Sequence, residues 1–237
     1  MADRPVLLIT GASSGIGSAT AQQAVEAGYR VALAARREAP IRELAAELGE
    51  GNAIARTCDV AEWDQMQTLV ESTIAELGQV DAVFANAGMG AEHSLLEDSV
   101  ETWRSMVLTN VYGAALTIRA ILPHMLERGT GHFLATSSTA GRQVLSGSVY
   151  GATKHAVAAL IEALRLELRT KHHNDAIRVT TIAPGYVDTP FFASMEESPP
   201  AWSLQPQDVA RAVLYALEQP GRVDVSEILI RPTAQAF

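Results

Sequence analysis

The chain has 237 residues, of which 48% are hydrophobic and 19% charged, a composition typical of one folded domain and not of a disordered segment. The 18 lysines and arginines are outnumbered by 27 aspartates and glutamates, and the net charge of −9 disfavours a nucleic-acid partner. Cys58 is the one cysteine, which excludes an intrachain disulfide and a cysteine-based metal centre. The six histidines form no metal set, so we expect no metal site.

The N-terminal part of the chain gives no sign of export or membrane insertion. Its apolar run, Val6 to Ile9, is far shorter than the roughly 20 residues that a membrane-spanning helix needs. Asp3 lies where a signal peptide would carry basic residues. We therefore expect a cytoplasmic protein with no membrane partner.

Short apolar segments alternate along the chain with longer amphipathic ones. The predicted strands are Pro5–Thr10, Tyr29–Ala35, Asn52–Val60, Val80–Asn86, Gly131–Ser137, Ile177–Ala183 and Glu227–Ile230. The predicted helices are Gly15–Ala27, Glu38–Leu48, Glu62–Leu77, Val100–Arg128, Val149–Lys171 and Pro206–Glu218. This alternation implies right-handed β–α–β units throughout.

Such units predict an α/β fold, a single Rossmann domain over residues 1–237. Its doubly wound, mostly seven-stranded parallel sheet would carry helices on both faces. Residues 187–205 are rich in proline and lack clear periodicity, as lids and binding loops often do. We expect a substrate lid there, in which Phe191, Phe192 and Trp202 either cover a bound ligand or serve ordinary packing.

The first predicted strand leads into a helix through Thr10-Gly11-Ala12-Ser13-Ser14-Gly15-Ile16-Gly17. Glycine permits a tight turn and a close approach of a ligand to the backbone. The free N–H groups and the positive dipole end of the following helix suit a pyrophosphate. The spacing differs from the general dinucleotide pattern, and the glycines alone also fit a plain turn. Their position between the first strand and the first helix favours a nucleotide.

The chain, over essentially its whole length, resembles the short-chain dehydrogenases/reductases. The matching motifs follow one another in order: the glycine turn, Asp59-Val60, Asn86-Ala87-Gly88, Tyr150 with Lys154, and Pro184-Gly185. One departure is Ala85, where many members have a second asparagine. The resemblance implies that a nicotinamide cofactor is held by Gly11, Ser13, Ser14, Gly15, Ile16, Gly17, Arg36, Arg37, Asp59, Val60, Asn86, Ala87, Gly88, Tyr150, Lys154, Pro184, Gly185, Val187 and Thr189.

Tyr150 and Lys154 stand four residues apart, so they share one face of a predicted helix. An ammonium beside a phenol lowers the pKa of the phenol, which can then act as an acid or base nearer neutral pH. From the spacing alone, a packed tyrosine and a solvated lysine remain possible. The resemblance implies that Tyr150 protonates a carbonyl oxygen during reduction and that Lys154 binds the nicotinamide ribose. It also implies that Asn110 helps to hold a water of a proton relay.

The same resemblance places a serine after the fifth strand, where Ser137 and Ser138 are adjacent. Consecutive side chains of a strand point to opposite faces, so only one of the two would face the cofactor. The family commonly has its serine 13 residues before the tyrosine, which selects Ser137, whereas the local Ser-x-x-Gly context selects Ser138. If Ser138 is the family's serine, the loop Arg142–Val149 is one residue shorter than usual, and loops absorb deletions more easily than strand ends do. We therefore expect the hydroxyl of Ser138 to hold the substrate oxygen.

The second predicted strand ends in Ala35, Arg36 and Arg37. An acidic residue at this place binds the ribose 2′-hydroxyl of NAD, whereas an arginine accommodates the 2′-phosphate of NADP. Arginine also suits phosphate by its forked geometry. We therefore expect NADP(H) as the preferred cofactor, with NAD(H) possible; two solvated arginines are the alternative.

Together these features predict an oxidoreductase that moves a hydride between NADP(H) and a small-molecule carbonyl or secondary alcohol. The alternative is a catalytically silent protein that senses NAD(P) on the same fold. The helices Val100–Arg128 and Val149–Lys171 carry more apolar residues than packing on a sheet requires. Members of the family commonly pair these two helices between subunits, so we expect a homotetramer, or else a dimer.

Overall fold

The structure is a computed structural model in which residues 4–91, 94–195 and 198–236 are described. Across these residues, seven strands pair in parallel in the order β3-β2-β1-β4-β5-β6-β7. The strands are β1 (Val6–Thr10), β2 (Arg30–Ala35), β3 (Ala53–Thr57), β4 (Ala82–Ala85), β5 (Gly131–Thr136), β6 (Ile177–Pro184) and β7 (Glu227–Ile230). The predicted α/β fold with a doubly wound parallel sheet is confirmed.

Helices cover both faces of the sheet. They are α1 (Gly15–Glu26), α2 (Glu38–Leu48), α3 (Trp63–Leu77), α4 (Val100–Val107), α5 (Gly113–Arg128), α6 (Val149–Thr170) and α7 (Pro206–Glu218). Side chains of α1, α2 and α7 belong to one core cluster, and those of α3, α5 and α6 to the other. In β1, Val6 and Leu8 face the second cluster while Leu7 and Ile9 face the first, so the strand is apolar at every position.

The prediction of one regular helix from Val100 to Arg128 is wrong in its middle. A π-helical turn, Leu108–Tyr112, separates α4 from α5. Such turns contain an extra residue, and they occur often beside functional sites. Here the turn carries Asn110 into the interior, where it is 2% exposed. The apolar spacing of the segment does not reveal the extra residue.

By length and composition, the stretch Val100–Arg128 also qualifies as a candidate membrane span, with a mean hydropathy of 1.3 in its most apolar window. Met106, Leu116, Ile121 and Met125 of this stretch are buried within the protein. A helix that packs on the core of a protein is buried in this way, and its length and composition can meet the same criteria as those of a membrane span.

The strand predicted at Asn52–Val60 ends early, at Thr57. Beyond it the Asp59 carboxylate accepts the Ala61 N–H at 3.0 Å, and this local bond turns the chain towards α3. Asp59 therefore stands just beyond a strand end. The order of the strands reverses between β1 and β4, and in open α/β sheets the crevice at such a point is where ligands bind.

Candidate active site

A cavity of about 590 Å³ opens at the carboxyl ends of the central strands. The predicted site residues that line it are Gly11, Ser13, Ser14, Gly15, Ile16, Arg36, Arg37, Asp59, Val60, Asn86, Ala87, Gly88, Ser138, Tyr150, Lys154, Pro184, Gly185, Val187 and Thr189. Two predicted residues, Gly17 and Asn110, do not line this cavity. The fold thus brings together segments that are far apart in the sequence.

The turn between β1 and α1 depends on its glycines. Gly11 has φ +68°, and a Cβ there would stand 2.8 Å from the Cα of Ala87. A Cβ on Gly17 would stand only 2.4 Å from the Gly11 carbonyl oxygen. Gly15 has φ +56° and faces Thr189. Any side chain at these positions would push the turn apart, so Gly17 supports the cavity wall from behind.

Asn86 joins this turn to the ends of β4 and β5. Its Nδ2 donates to the Thr10 carbonyl at 3.3 Å, and its Oδ1 accepts from the Thr136 hydroxyl at 3.0 Å. The Thr10 hydroxyl in turn accepts the N–H groups of Asn86 and Ala87. These bonds between neighbouring strand ends keep the floor of the cavity in one conformation.

Two arginines stand at the end of β2, on the rim of the cavity. The Arg37 Nη2 donates to the Ser13 hydroxyl at 3.0 Å and to the Ser14 hydroxyl at 3.3 Å. Arg36 also lines the cavity, and both arginines are exposed. This end therefore combines two cations with the N-terminal turn of α1, a combination that favours an anion.

Tyr150, Lys154 and Ser138 meet in the middle of the cavity. Tyr150 and Lys154 lie one turn apart on α6, and the Lys154 Nζ is 5.6 Å from the centre of the phenol ring. The Lys154 Nζ donates to the Thr136 carbonyl at 2.9 Å. The Ser138 hydroxyl lies near enough to the Tyr150 phenol to lower its pKa, and it donates to the Pro184 carbonyl at 3.4 Å. A hydroxyl pair with an adjacent ammonium is an arrangement that can bind and protonate an oxygen.

The electrostatics of this trio differ from our expectation. Burial raises the pKa of Tyr150 to about 12, while the nearby Ser138 hydroxyl acts in the opposite direction and is the weaker effect. Burial also lowers the pKa of Lys154 to about 8. The prediction that Lys154 lowers the pKa of the phenol is therefore wrong in this structure. The Lys154 Nζ donates to the Thr136 carbonyl, and the pKa of the phenol is set chiefly by desolvation of the phenolate.

The two neighbouring serines have different surroundings. The Ser137 hydroxyl is 1% exposed and donates to the Lys154 carbonyl at 2.9 Å. The Ser138 hydroxyl accepts the Ala140 N–H at 3.1 Å, donates to the Pro184 carbonyl at 3.4 Å and lies close enough to the phenol of Tyr150 to lower its pKa. Ser137 thus fastens α6 to the end of β5, whereas Ser138 presents its oxygen beside the phenol.

Asn110 lies behind the cavity wall and holds it in place. Its Oδ1 accepts the Met89 N–H at 2.8 Å, and its Nδ2 donates to the Met89 carbonyl at 2.9 Å and to the Thr153 hydroxyl at 3.0 Å. These bonds use both N–H groups of the side-chain amide and one lone pair of its oxygen. A second, much smaller cavity of about 10 Å³ borders Asn110 and Thr109. The side chain of Asn110 is therefore a clamp on the loop after β4.

Several cavity residues were not singled out from the sequence: Gln143, Leu145, Tyr186 and Gln235. Gln235 reaches the cavity because the last described segment folds back, so that its Oε1 accepts the Tyr186 N–H at 3.2 Å. No motif marks it. Gln143 and Leu145 could have been predicted from their position, because they lie in the loop between β5 and α6, and loops that follow strand ends at the crevice carry binding residues.

The proposed lid is an irregular segment with one short 3₁₀ turn, Pro190–Met195, and a bridge between Val187 and Leu204. Residues 196 and 197 of the lid lie outside the described residues. Phe191 and Phe192 line the cavity, whereas Trp202 does not and instead packs edge-on against Tyr186. The segment therefore forms one wall of the cavity.

Cys58 also borders the cavity, although it is only 2% exposed. Its Sγ lies 3.5 Å from the Met66 Sδ. Burial, and to a lesser extent the neighbouring Asp59, raises the pKa of the thiol to about 12. The thiol is therefore neutral over the physiological range, and it behaves as a small apolar side chain.

Comparison with known proteins agrees with this geometry. Residues 5–200 match the profile of the short chain dehydrogenase family. An uncharacterized oxidoreductase of Staphylococcus saprophyticus is 36% identical over 235 residues, which cover 96% of this chain and 97% of that protein. Another from Listeria monocytogenes is 36% identical over 244 residues and covers 98% of each chain.

Solved structures give the same result. A serine dehydrogenase complexed with NADP⁺ has a TM-score of 0.90 at 32% identity, covering 98% of this chain and 96% of that one. An alcohol dehydrogenase of Thermococcus sibiricus complexed with 5-hydroxy-NADP has a TM-score of 0.88 at 31% identity, covering 98% and 97%. A 3-ketoacyl-(acyl-carrier-protein) reductase of Brucella melitensis complexed with NADH has a TM-score of 0.86 at 26% identity, covering 97% of each chain. Full-length relatives and a shared fold thus lead to one conclusion: this chain belongs to the short-chain dehydrogenase family of oxidoreductases.

Proposed function

We propose that the protein transfers a hydride between NADP(H) and a carbonyl compound or secondary alcohol, with Tyr150 as the acid and base. The observation that carries this proposal is that the phenol of Tyr150 and the hydroxyl of Ser138 line one cavity, with the Lys154 ammonium 5.6 Å from the centre of the phenol ring. Two hydroxyls that converge in this way can both hydrogen-bond to one substrate oxygen.

In reduction, the nicotinamide supplies the hydride that reaches the carbonyl carbon. The residues of the chain handle the oxygen. The Ser138 hydroxyl donates to it as negative charge develops, and the Tyr150 proton passes to it. A phenol with a pKa of about 12 is fully protonated at neutral pH, so it enters reduction with its proton in place. Lys154 lies one helical turn further along α6, with its Nζ 5.6 Å from the centre of the phenol ring.

The cavity fits a phosphorylated nucleotide. The N-terminal turn of α1 and the guanidinium of Arg37 converge on the hydroxyls of Ser13 and Ser14, where a phosphate would find donors and positive charge. At the end of β2, the place of an acidic residue that would bind a 2′-hydroxyl is occupied by Ala35. Two of the similar structures hold NADP or a derivative of it, and another holds NADH. Arg36 and Arg37 are the features that favour NADP(H) for this chain.

The test is NADPH oxidation, followed by nicotinamide absorbance, with a panel of ketones and aldehydes and with NADH run in parallel. Replacement of Tyr150 by Phe removes one oxygen, and we expect turnover to be lost while NADPH still quenches protein fluorescence. Lys171→Ala, an exposed change at the far end of α6, is the matched control. Near-normal activity of a well-folded Tyr150→Phe protein would refute the role of Tyr150.

The same assay separates the enzyme from the alternative, a protein that only senses the cofactor. A sensor would bind NADPH and oxidise none of it with any substrate in the panel. The presence of Tyr150, Lys154 and Ser138 in one cavity argues for the enzyme.

A further inference from the structure

The charged side chains of the cavity are unevenly distributed. Among the described residues that line it, the charged ones are Arg36, Arg37, Asp59 and Lys154. The first three follow β2 and β3, at the end where the nucleotide is proposed to bind. Beyond Tyr150, the described lining residues carry no formal charge. They are Thr139, Gln143, Leu145, Tyr186, Phe191, Phe192 and Gln235.

Aromatic rings form the wall that faces Tyr150 at this uncharged end. The rings of Tyr150 and Phe191 are 5.5 Å apart at a tilt of 58°. Phe191 meets Phe192 edge-on at 5.8 Å, and Phe192 stacks on Tyr186 at 5.8 Å. Aromatic pairs at these separations prefer such tilted and offset arrangements, so the wall is a packed surface that offers apolar area to a substrate.

Lys154 and Arg142, two cations of the elements around this end, are hydrogen-bonded elsewhere, and Arg231, which stands beside Gly185, does not line the cavity. Lys154 is 4% exposed, and its Nζ donates to the Thr136 carbonyl. Arg142 precedes Gln143 in the loop, but its Nε donates to the Glu227 carboxylate at 2.6 Å and its Nη1 to the Gly141 carbonyl at 3.0 Å. A substrate carboxylate placed against the aromatic wall would therefore lose its water without gaining a positive partner, which is costly.

We propose that the substrate of this site is an uncharged ketone or its secondary alcohol, bearing an aromatic or similarly apolar substituent that packs on Phe191, and that the site discriminates against carboxylate-bearing analogues. This inference rests on the proposed function. The apolar substituent gains contact with the wall, while the amides of Gln143 and Gln235 provide polar groups without charge. The overall charge of −9 also disfavours the approach of an anionic substrate.

The test compares methyl 4-acetylbenzoate with 4-acetylbenzoate, two ketones of the same shape at the reacting carbonyl that differ in one distant charge. With NADPH saturating, we expect kcat/KM for the ester to exceed that for the acid by at least about 100-fold, since an unpaired buried charge costs more than an unpaired neutral group. Equal values, or a preference for the acid, would overturn the inference and leave the proposed function standing.

Binding of both ketones to the NADPH-saturated protein is measured in parallel by calorimetry, so that the two claims can fail separately. Tighter binding of the ester, without turnover of it or of any carbonyl in the panel, would support the preference for an uncharged ligand and overturn the proposed function. If neither ketone is bound or reduced, the inference is overturned whatever other carbonyl the enzyme accepts.

Variants at Gln143 sharpen the comparison, because this residue lines the uncharged end without belonging to the trio that handles the proton. Gln143→Arg adds the missing cation, and we expect the ratio of ester to acid to fall at least about tenfold. Gln143→Met has a similar length without charge and should leave the ratio within about threefold. A ratio that moves equally in both variants would show that charge at this end does not set the preference. Because each ratio compares two substrates on one protein, a difference in folded fraction cancels.

Discussion

Ser138 and Ser137 offer a paired test, because adjacent hydroxyls have separate tasks. Ser138→Ala removes the hydroxyl beside Tyr150, and losing a donor of that kind lowers kcat by about 10²–10³-fold. It also removes the side-chain acceptor of the Ala140 N–H, which costs about 1 kcal/mol of stability. Ser137→Ala removes the 2.9 Å bond to the Lys154 carbonyl, which still accepts within α6, so the cost is about 0.5–1.5 kcal/mol. For a chain of this size each kcal/mol lowers Tm by about 2–4 °C.

The two variants should therefore differ mainly in how far kcat falls. Ser138→Ala loses most of kcat, whereas Ser137→Ala keeps kcat within about tenfold, and each variant lowers Tm by only a few degrees. Ketone reduction with saturating NADPH gives kcat, and thermal unfolding followed by circular dichroism gives Tm on the same samples. A greater loss of kcat in Ser137→Ala would refute the assignment and would show that the spacing to the tyrosine is the better guide.

Three further predictions follow from the same structure. Replacing Arg36 and Arg37 together by Ala should weaken NADPH binding far more than NADH binding; equal affinities of the unmodified protein for both cofactors, measured by fluorescence titration, would remove the basis of the NADP(H) proposal. His132 is 2% exposed and donates through Nε2 to Thr180, and burial with nearby arginines holds its pKa well below the usual value. Since the unfolded chain then binds the extra proton, this contribution to stability is complete above pH ~6.5 and declines below it by up to about 1.4 kcal/mol per pH unit. Urea unfolding of His132→Gln should show a flatter acid limb; an unchanged limb would contradict the assignment. Light scattering of dilute protein should give four times the monomer mass of 25.3 kDa, or else twice, and a stable monomer would end the proposal of a homo-oligomer.

An oligomer would need an exposed apolar surface through which its subunits could pair. Val107 is 45% exposed on α4 and Leu166 is 55% exposed on α6. Other apolar residues of the same two segments, Ala114, Leu164 and Leu168, are buried in the core. The apolar area left for a second copy is thus smaller than the composition of these helices suggests.

The sheet could be predicted because its physical signal is local. The continuous apolar run of β1 and the glycine turn after it require only neighbouring residues to be interpreted, and the positions of Asp59, Asn86 and Tyr150 follow from the strand ends. The boundaries of Glu38–Leu48 and Pro206–Glu218 agree with the prediction to the residue.

The errors arose where the outcome depends on three-dimensional surroundings. The pKa of Tyr150 is set by how much water its site excludes, which the spacing to Lys154 does not encode. The π turn at Asn110 is stabilised by the backbone of Met89, a residue 21 positions away. Gln235 reaches the cavity through tertiary packing of the last segment against Tyr186. In each case the deciding contact is long-range.

The buried state of Cys58 has a practical consequence for solution experiments. A thiol that is both shielded and fully protonated reacts slowly with maleimides and with air, and it is the one cysteine of the sequence. The protein should therefore remain free of intermolecular disulfides in the absence of reductant. A cysteine introduced at an exposed position next to the cavity but outside its lining, for example Glu38→Cys, would be the single fast-reacting thiol among the residues that the structure describes. A fluorophore attached there would report on nucleotide binding without removal of the native cysteine.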